Sequence, residues 1–225
     1  MSQLQPYQHK SINHQLIDLP VGKAVCVGRN YAEHAKELGN EVPDSPLLFI
    51  KPSTSFVSLQ PSFSIPSGQG SVHHELEIAL LVSQPARGVS VGDALNYISH
   101  LGLGLDLTLR DVQSQLKQQA HPWERAKAFD GACPISPWLE KSQVGDLADI
   151  QITLKKNHQV QQDGNSQEMI HSMAQLVSYM SSCFTLLPGD VILTGTPAGV
   201  SELKQGDELE LILNNGLAAF KTKVN

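Results

Sequence analysis

The stretch Val72-His-His-Glu-Leu-Glu-Ile-Ala-Leu-Leu-Val82 carries the strongest pattern in this 225-residue chain. Read as an extended strand, it puts Leu76, Ile78, Leu80 and Val82 on one face and His73, Glu75, Glu77, Ala79 and Leu81 on the other. Glu75 and Glu77 then point the same way, roughly 7 Å apart along the strand. Two carboxylates aimed at a partly buried pocket repel each other, and a divalent cation between them relieves the repulsion. An exposed edge strand with two solvated glutamates is the other reading of this segment taken alone.

The elements around it are short. Strands are expected at Lys23–Gly28, at Pro46–Lys51 (closed by Pro52), at Gly102–Leu107, at Val191–Leu193 after the turn Pro188-Gly-Asp190, and at Glu208–Leu213. Asn214-Asn-Gly216 is a hairpin signal leading into Leu217–Val224. Helices are expected over Tyr31–Leu38, ended by Gly39, and over about Leu109–Gln119, capped by Thr108. A longer amphipathic helix is expected over about Gln167–Phe184, with Ile170, Met173, Ala174, Val177 and Met180 as its core stripe. Many strands with few, segregated helices indicate an α+β, β-rich fold. Gly102-Leu-Gly104 lacks the third glycine of a dinucleotide-binding loop.

Composition narrows the function classes. The chain is 40% hydrophobic and 17% charged, which suits a globular domain, and it has no apolar run of the roughly 18 residues that cross a membrane. Met1–Lys10 lacks the layout of a secretory signal, so a cytoplasmic protein of one domain is expected, with residues 1–20 as an extension. A formal charge of −6 disfavours nucleic acid as a partner. Cys26, Cys133 and Cys183 are far apart and odd in number, which predicts reduced, mostly buried thiols.

Asp106 near the end of the Gly102–Thr108 strand is a third acid; with Glu75 and Glu77 it would complete an all-oxygen set, suited to Mg²⁺ or Mn²⁺ rather than zinc. Taken alone, an Asp at this position is usually a helix cap, and the following Thr-Leu-Arg-Asp allows that role. Arg110 and Gln113 share a helix face beside it and suit an acidic substrate, although exposed positions are the commoner role for either. Lys127 reads as an electrostatic stabiliser or as a surface lysine with a snorkelling stem. His34 and Glu37, one turn apart, form an imidazole oriented by a carboxylate, or an ordinary helix-surface pair. Thr194-Gly-Thr-Pro-Ala-Gly199 reads as a tight turn whose N–H and hydroxyl groups suit an anion, or as a turn alone.

Taken in order, these segments resemble the fumarylacetoacetate hydrolase family. The resemblance rests on Val25-Cys-Val-Gly-Arg-Asn-Tyr31 with His34, Leu48-Phe-Ile-Lys-Pro52, His73-His-Glu-Leu-Glu77, Leu105-Asp-Leu-Thr-Leu-Arg-Asp-Val-Gln113, Ala126-Lys-Ala-Phe-Asp130 and Gly189-Asp-Val-Ile-Leu-Thr-Gly-Thr-Pro197. It covers about residues 20–213 and is closest to short members that consist of the catalytic domain alone. It implies a mixed β-sandwich roll, a homodimer, and a divalent metal (Mg²⁺ or Mn²⁺, with Ca²⁺ an option in a crystal) held by Glu75, Glu77 and Asp106. It also implies His34, Glu37 and Lys127 as catalytic residues and Arg110, Gln113 and Thr196 as substrate-binding ones. Leu38–Ser45 would be a short lid. The expected activity is hydrolytic C–C cleavage of an acylpyruvate-type 2,4-dioxo acid, with His34 activating water and Lys127 stabilising the pyruvate enolate. Oxaloacetate decarboxylation or tautomerisation, and isomerisation or decarboxylation in aromatic catabolism, use the same enolate and are the alternatives. A non-catalytic binder of a 2-oxo acid and metal is the minor one.

Overall fold

Sixteen short strands and five α-helices build this chain in a computed structural model that describes residues 6–37, 39 and 43–225. The strands are β1 Ala24–Gly28, β2 Leu47–Lys51, β3 Phe56–Ser58, β4 Ser62–Phe63, β5 Val72–His74, β6 Leu76–Val82, β7 Ile98–Leu105 and β8 Thr108–Leu109. They continue as β9 Cys133–Ile135, β10 Leu139–Glu140, β11 Gln151–Lys156, β12 Gln159–Asn165, β13 Val191–Leu193, β14 Ser201–Leu203, β15 Glu208–Leu213 and β16 Ala218–Val224. The helices are α1 Ala32–Glu37, α2 Arg110–Gln118, α3 Glu124–Lys127, α4 Lys141–Val144 and α5 Met173–Cys183.

The eight-stranded central sheet runs β2-β1-β13-β6-β7-β9-β3, with β10 also paired to β7. A second sheet has the order β12-β11-β15-β16-β4, and a small third one the order β14-β5-β8. The alternation along Leu76–Val82 separates two cores rather than core from solvent. Leu76, Ile78, Leu80 and Val82 join a cluster with Ile152, Leu211 and Leu213 of the second sheet and with Leu176 and Met180 of α5. Ala79 and Leu81 join another, with Cys26, Cys133, Trp138, Val191 and Leu193. The amino-terminal segment covers that second core, where Tyr7, Ile17, Leu19 and Val21 pack. The expected β-rich α+β roll is this fold.

Several local expectations are corrected. The strand over Val72–Val82 is interrupted at Glu75, because β5 leaves the central sheet to pair with β8 and β14. Thr108 lies in β8 instead of capping α2; Leu109 holds the N-cap position without a side-chain bond. Asp106 caps no helix either, since its carboxylate turns inward. The expected helix over Gln167–Phe184 is a 3₁₀ turn, Ser166–Glu168, followed by α5, because Ser172 and Gln175 make a capping box that starts the helix there. Of its expected core stripe, Met173, Val177 and Met180 are buried, whereas Ile170 precedes the helix and is partly covered. Cys26 and Cys133 are buried and Cys183 is exposed; all three are free thiols. Among the described residues no helix is long and apolar enough to cross a membrane. Of the expected lid, Leu38 and residues 40–42 lie outside the described residues.

Candidate active site

Glu75 at the β5–β6 break, Glu77 on β6 and Asp106 just after β7 converge, because β6 and β7 are neighbours paired Leu76 to Leu105 and Glu77 to Gly104. One carboxylate oxygen from each lies within 4.8 Å of the others, and the three side chains are 6%, 1% and 1% exposed. The exposed-edge reading of Glu75 and Glu77 is thereby overturned. Gly104, paired with Glu77, has no room for a side chain: a Cβ there would stand 2.9 Å from both Ile135 Cδ1 and Leu193 Cδ2.

Lys127 is 3% exposed, so the snorkelling alternative falls. Its ammonium donates to Glu75 Oε2 at 2.8 Å and Asp106 Oδ2 at 2.5 Å and stands 5.1 Å from the Phe49 ring centroid. Burial disfavours the Lys127 charge, but Asp106 and Glu75 outweigh it and raise the pKa, so Lys127 stays protonated. The same balance operates at Glu75: burial opposes its charge, yet Lys127 and Arg110 hold it well below the usual carboxylate range. Among the described residues Glu77 has no ion-pair partner of this kind. It accepts from the Gly195 backbone N–H at 2.7 Å, and burial with the Asp106 and Glu75 charges pushes its pKa well up.

A fully buried lysine that the sequence reading passed over completes the cluster. Lys51 sits 2.7 Å from Asp106 Oδ1 and donates to the carbonyls of Ala132 (3.1 Å), Leu107 (3.4 Å) and Lys127. With its bonds directed to those carbonyls, Asp106 Oδ1 is buried without a hydrogen bond of its own. That oxygen, the underdonated Glu77 and the all-oxygen ligand set fit a hard divalent cation.

The rest of the expected residues surround the same pocket. His34, Glu75, Glu77, Gln113, Lys127 and Thr196 all line it, and Arg110 lies between Glu75 and Gln113. Arg110 is more committed than expected, with Nη2 donating to Glu75 Oε1 at 2.7 Å and Nη1 to Gln113 Oε1 at 2.8 Å. His34 Nδ1 is 3.3 Å from Glu37 Oε2, and Glu37 also accepts from the Gly199 N–H, which anchors the pair to the loop after β13. His34 is 4% exposed, whereas Glu37 lies at the exposed end of the pair.

Two further buried polar residues brace the pocket, Gln162, which carries no recognisable signal in the sequence, and Asn30, which lies within the segment Val25–Tyr31. Gln162 Nε2 on β12 donates to the Thr196 hydroxyl at 2.7 Å and to Pro197 O, and its Oε1 accepts from Leu76 N and bonds His74 Nδ1. Burial pushes the His74 pKa down to about 4, so the ring is neutral within this network. Asn30, fully buried, donates to Thr194 O and His171 O and accepts from His171 N. It thereby holds the turn before α1 against the end of β13.

Residues 23–225 match the family model described as Fumarylacetoacetate (FAA) hydrolase C-terminal. The Escherichia coli (strain K12) protein named oxaloacetate tautomerase YcgM is 47% identical over 204 residues, 90% of this chain and 93% of that one. A Dictyostelium discoideum protein named oxaloacetate decarboxylase, mitochondrial, is 41% identical over 190 residues, 84% of this chain and 87% of its own. A fumarylpyruvate hydrolase from Pseudomonas aeruginosa, solved with Mn²⁺ and pyruvate, superposes with a TM-score of 0.90 at 32% identity, covering 97% of this chain and 95% of that one. Fold, site and relatives agree, and the chain belongs to the fumarylacetoacetate hydrolase family.

Proposed function

We propose that this protein interconverts the enol and keto forms of a short 2-oxo dicarboxylic acid of the oxaloacetate type, using a divalent cation held by Glu75, Glu77 and Asp106. The observation that carries the reading is the gathering, around one pocket, of Lys127 and of His34 with its partner Glu37. The names of the curated relatives support the substrate. A bound Mg²⁺ or Mn²⁺ would supply Lewis-acid polarisation of the carboxylate and 2-oxo oxygens. His34 takes the proton from C3 of the keto form and returns one in the reverse direction, while Glu37 keeps the ring oriented. Lys127, held against Glu75 and Asp106, offers a positive charge to offset the negative charge that develops on the 2-oxo oxygen. Thr196, fixed by Gln162, and Gln113 orient the acid.

The test follows the ultraviolet absorbance of enol-oxaloacetate with Mg²⁺ present. His34→Gln should slow enzymic ketonisation by about 10²-fold or more, in line with loss of a general base. A wild-type rate no faster than Mg²⁺ alone would overturn the reading. A second reading, hydrolysis of an acylpyruvate, is favoured by the same His34–Glu37 pair, which can equally take a proton from water, and by the fumarylpyruvate hydrolase likeness. Rapid Mg²⁺-dependent cleavage of acetylpyruvate with sluggish ketonisation would establish it instead.

A further inference from the structure

Lys127 is gripped at its backbone and at its head. Its N–H donates to Trp123 O at 3.0 Å, at the start of α3. Its carbonyl accepts from Lys51 Nζ. Its ammonium is bonded to Glu75 and Asp106 and stands over the Phe49 ring, 5.1 Å from the centroid. Phe49 and Lys51 are two residues apart on β2, so their side chains leave the strand on the same face. That face therefore meets Lys127 twice, through Lys51 at the carbonyl and through Phe49 at the ammonium.

The ring itself is held from two sides. Phe49 is paired with Cys26 of β1 and packs against the core that contains Cys26. Trp123 leans on it, with ring centroids 6.3 Å apart and planes inclined at 60°. Both rings line the pocket. The face of an aromatic ring attracts an ammonium within about 6 Å of its centroid, most strongly where water is excluded. Lys127 is buried and meets that condition. The ring differs from the other partners of this ammonium in what else it must do. Glu75 and Asp106 belong to the set that fits a divalent cation, and oxygens that serve a cation hold a neighbouring ammonium less firmly. A hard cation takes oxygen ligands, so it makes no demand on the ring.

We propose that Phe49 is a positioning residue, whose ring face keeps the Lys127 ammonium at the pocket while Glu75 and Asp106 serve the cation. The inference rests on the reading above that the Lys127 charge offsets the negative charge developing on the 2-oxo oxygen. Phe49 touches no reacting atom in it and acts through the lysine.

Fluorination tests it, because fluorine withdraws charge from the ring face and scarcely changes the ring's size. Phe49 is replaced in the full chain by 4-fluoro-, 3,5-difluoro- and 3,4,5-trifluorophenylalanine. Two quantities are followed in the Mg²⁺-loaded protein: kcat for ketonisation of enol-oxaloacetate, and calorimetric affinity for oxalate, a planar dianion that resembles the enolate. Both should fall stepwise with fluorine count, by about 10-fold at the trifluoro ring, as expected for loss of a buried cation–π attraction. KM should change little. A kcat and an oxalate affinity that stay flat across the series overturn the proposal, since a ring that only fills space is indifferent to fluorine. A raised KM with kcat and oxalate affinity unchanged also overturns it, because the ring would then act on the substrate directly. If wild type does not ketonise oxaloacetate but its oxalate affinity falls with fluorine count, the role of Phe49 stands and the tautomerase reading falls. If wild type neither ketonises oxaloacetate nor binds oxalate, both fall.

Discussion

Lys51 illustrates how a single side chain can hold a site together without facing the pocket. Its ammonium is wholly buried and satisfies three backbone carbonyls while lying against Asp106. Removing one member of a buried ion pair leaves the other uncompensated, at a cost of about 3–5 kcal/mol. Lys51→Met should therefore lower the unfolding free energy by about 3 kcal/mol or more, read from urea titrations of the metal-free protein. Adding Asp106→Asn should recover part of that loss, since the two residues are directly coupled. If the single and double variants simply summed, Lys51 would be acting on the carbonyls alone.

Among the elements, the decisive one is β12, whose Gln162 spans from β5 and β6 to the loop after β13. Gln162→Leu removes donors to Thr196 and Pro197 and the acceptor for Leu76 N, all buried. Unpaired buried groups cost about 1–3 kcal/mol each, so we expect a loss of stability in that range or above together with a raised KM. Gln162→Glu restores only the acceptor, so Thr196 should remain unanchored and KM raised; a wild-type KM in both variants would exclude a positioning role. This residue also marks where reading the sequence stops. Glu75, Glu77 and Asp106 were legible because acids in apolar, alternating strands are conspicuous, and the ordered motifs placed the remaining pocket residues. Gln162 sits in the polar run Gln159–Asn165, which has no apolar periodicity, and the hydrogen-bond partners of its side chain are at least 34 residues distant in sequence. Lys51 was visible within a quoted motif, but its burial depends on the close approach of β2 to α3 and on carbonyls more than 50 residues away. The interruption at Glu75 was hidden for a related reason: alternation continues through it, and only pairing with β8 and β14 breaks the strand.

Across the whole molecule, neutral histidines are built into separate layers. His9 packs with Tyr7 and Trp138 in the amino-terminal segment and donates from Nε2 to Gly189 O; His74 lies between the sheets; His100 is on β7. Burial lowers the pKa of each. A lowered folded-state value means the unfolded chain binds more protons below the ordinary histidine value of 6.5, so their contribution is present above that pH and is lost as pH falls through the folded values. We expect the urea midpoint of His9→Gln to lie below that of wild type at pH 7.5 and to fall less steeply between pH 6.5 and 5, as measured by fluorescence. Parallel pH profiles would mean that His9 titrates normally.

Because Glu77 and Asp106 stand on or beside β6 and β7, the most extensively paired neighbours of the central sheet, the carboxylate cradle inherits the rigidity of the fold's interior. The imidazole opposite is carried by α1, only six residues long and too short to be stable by itself. The two walls of one pocket should therefore keep different clocks. In hydrogen–deuterium exchange, amides of Leu76–Leu81 should be among the last to exchange, through global unfolding, while those of α1 exchange through local opening. A cation or oxo acid would then leave the sheet's exchange at short times unchanged and slow that of α1, so ligand affinity would be governed by how often one brief helix is formed.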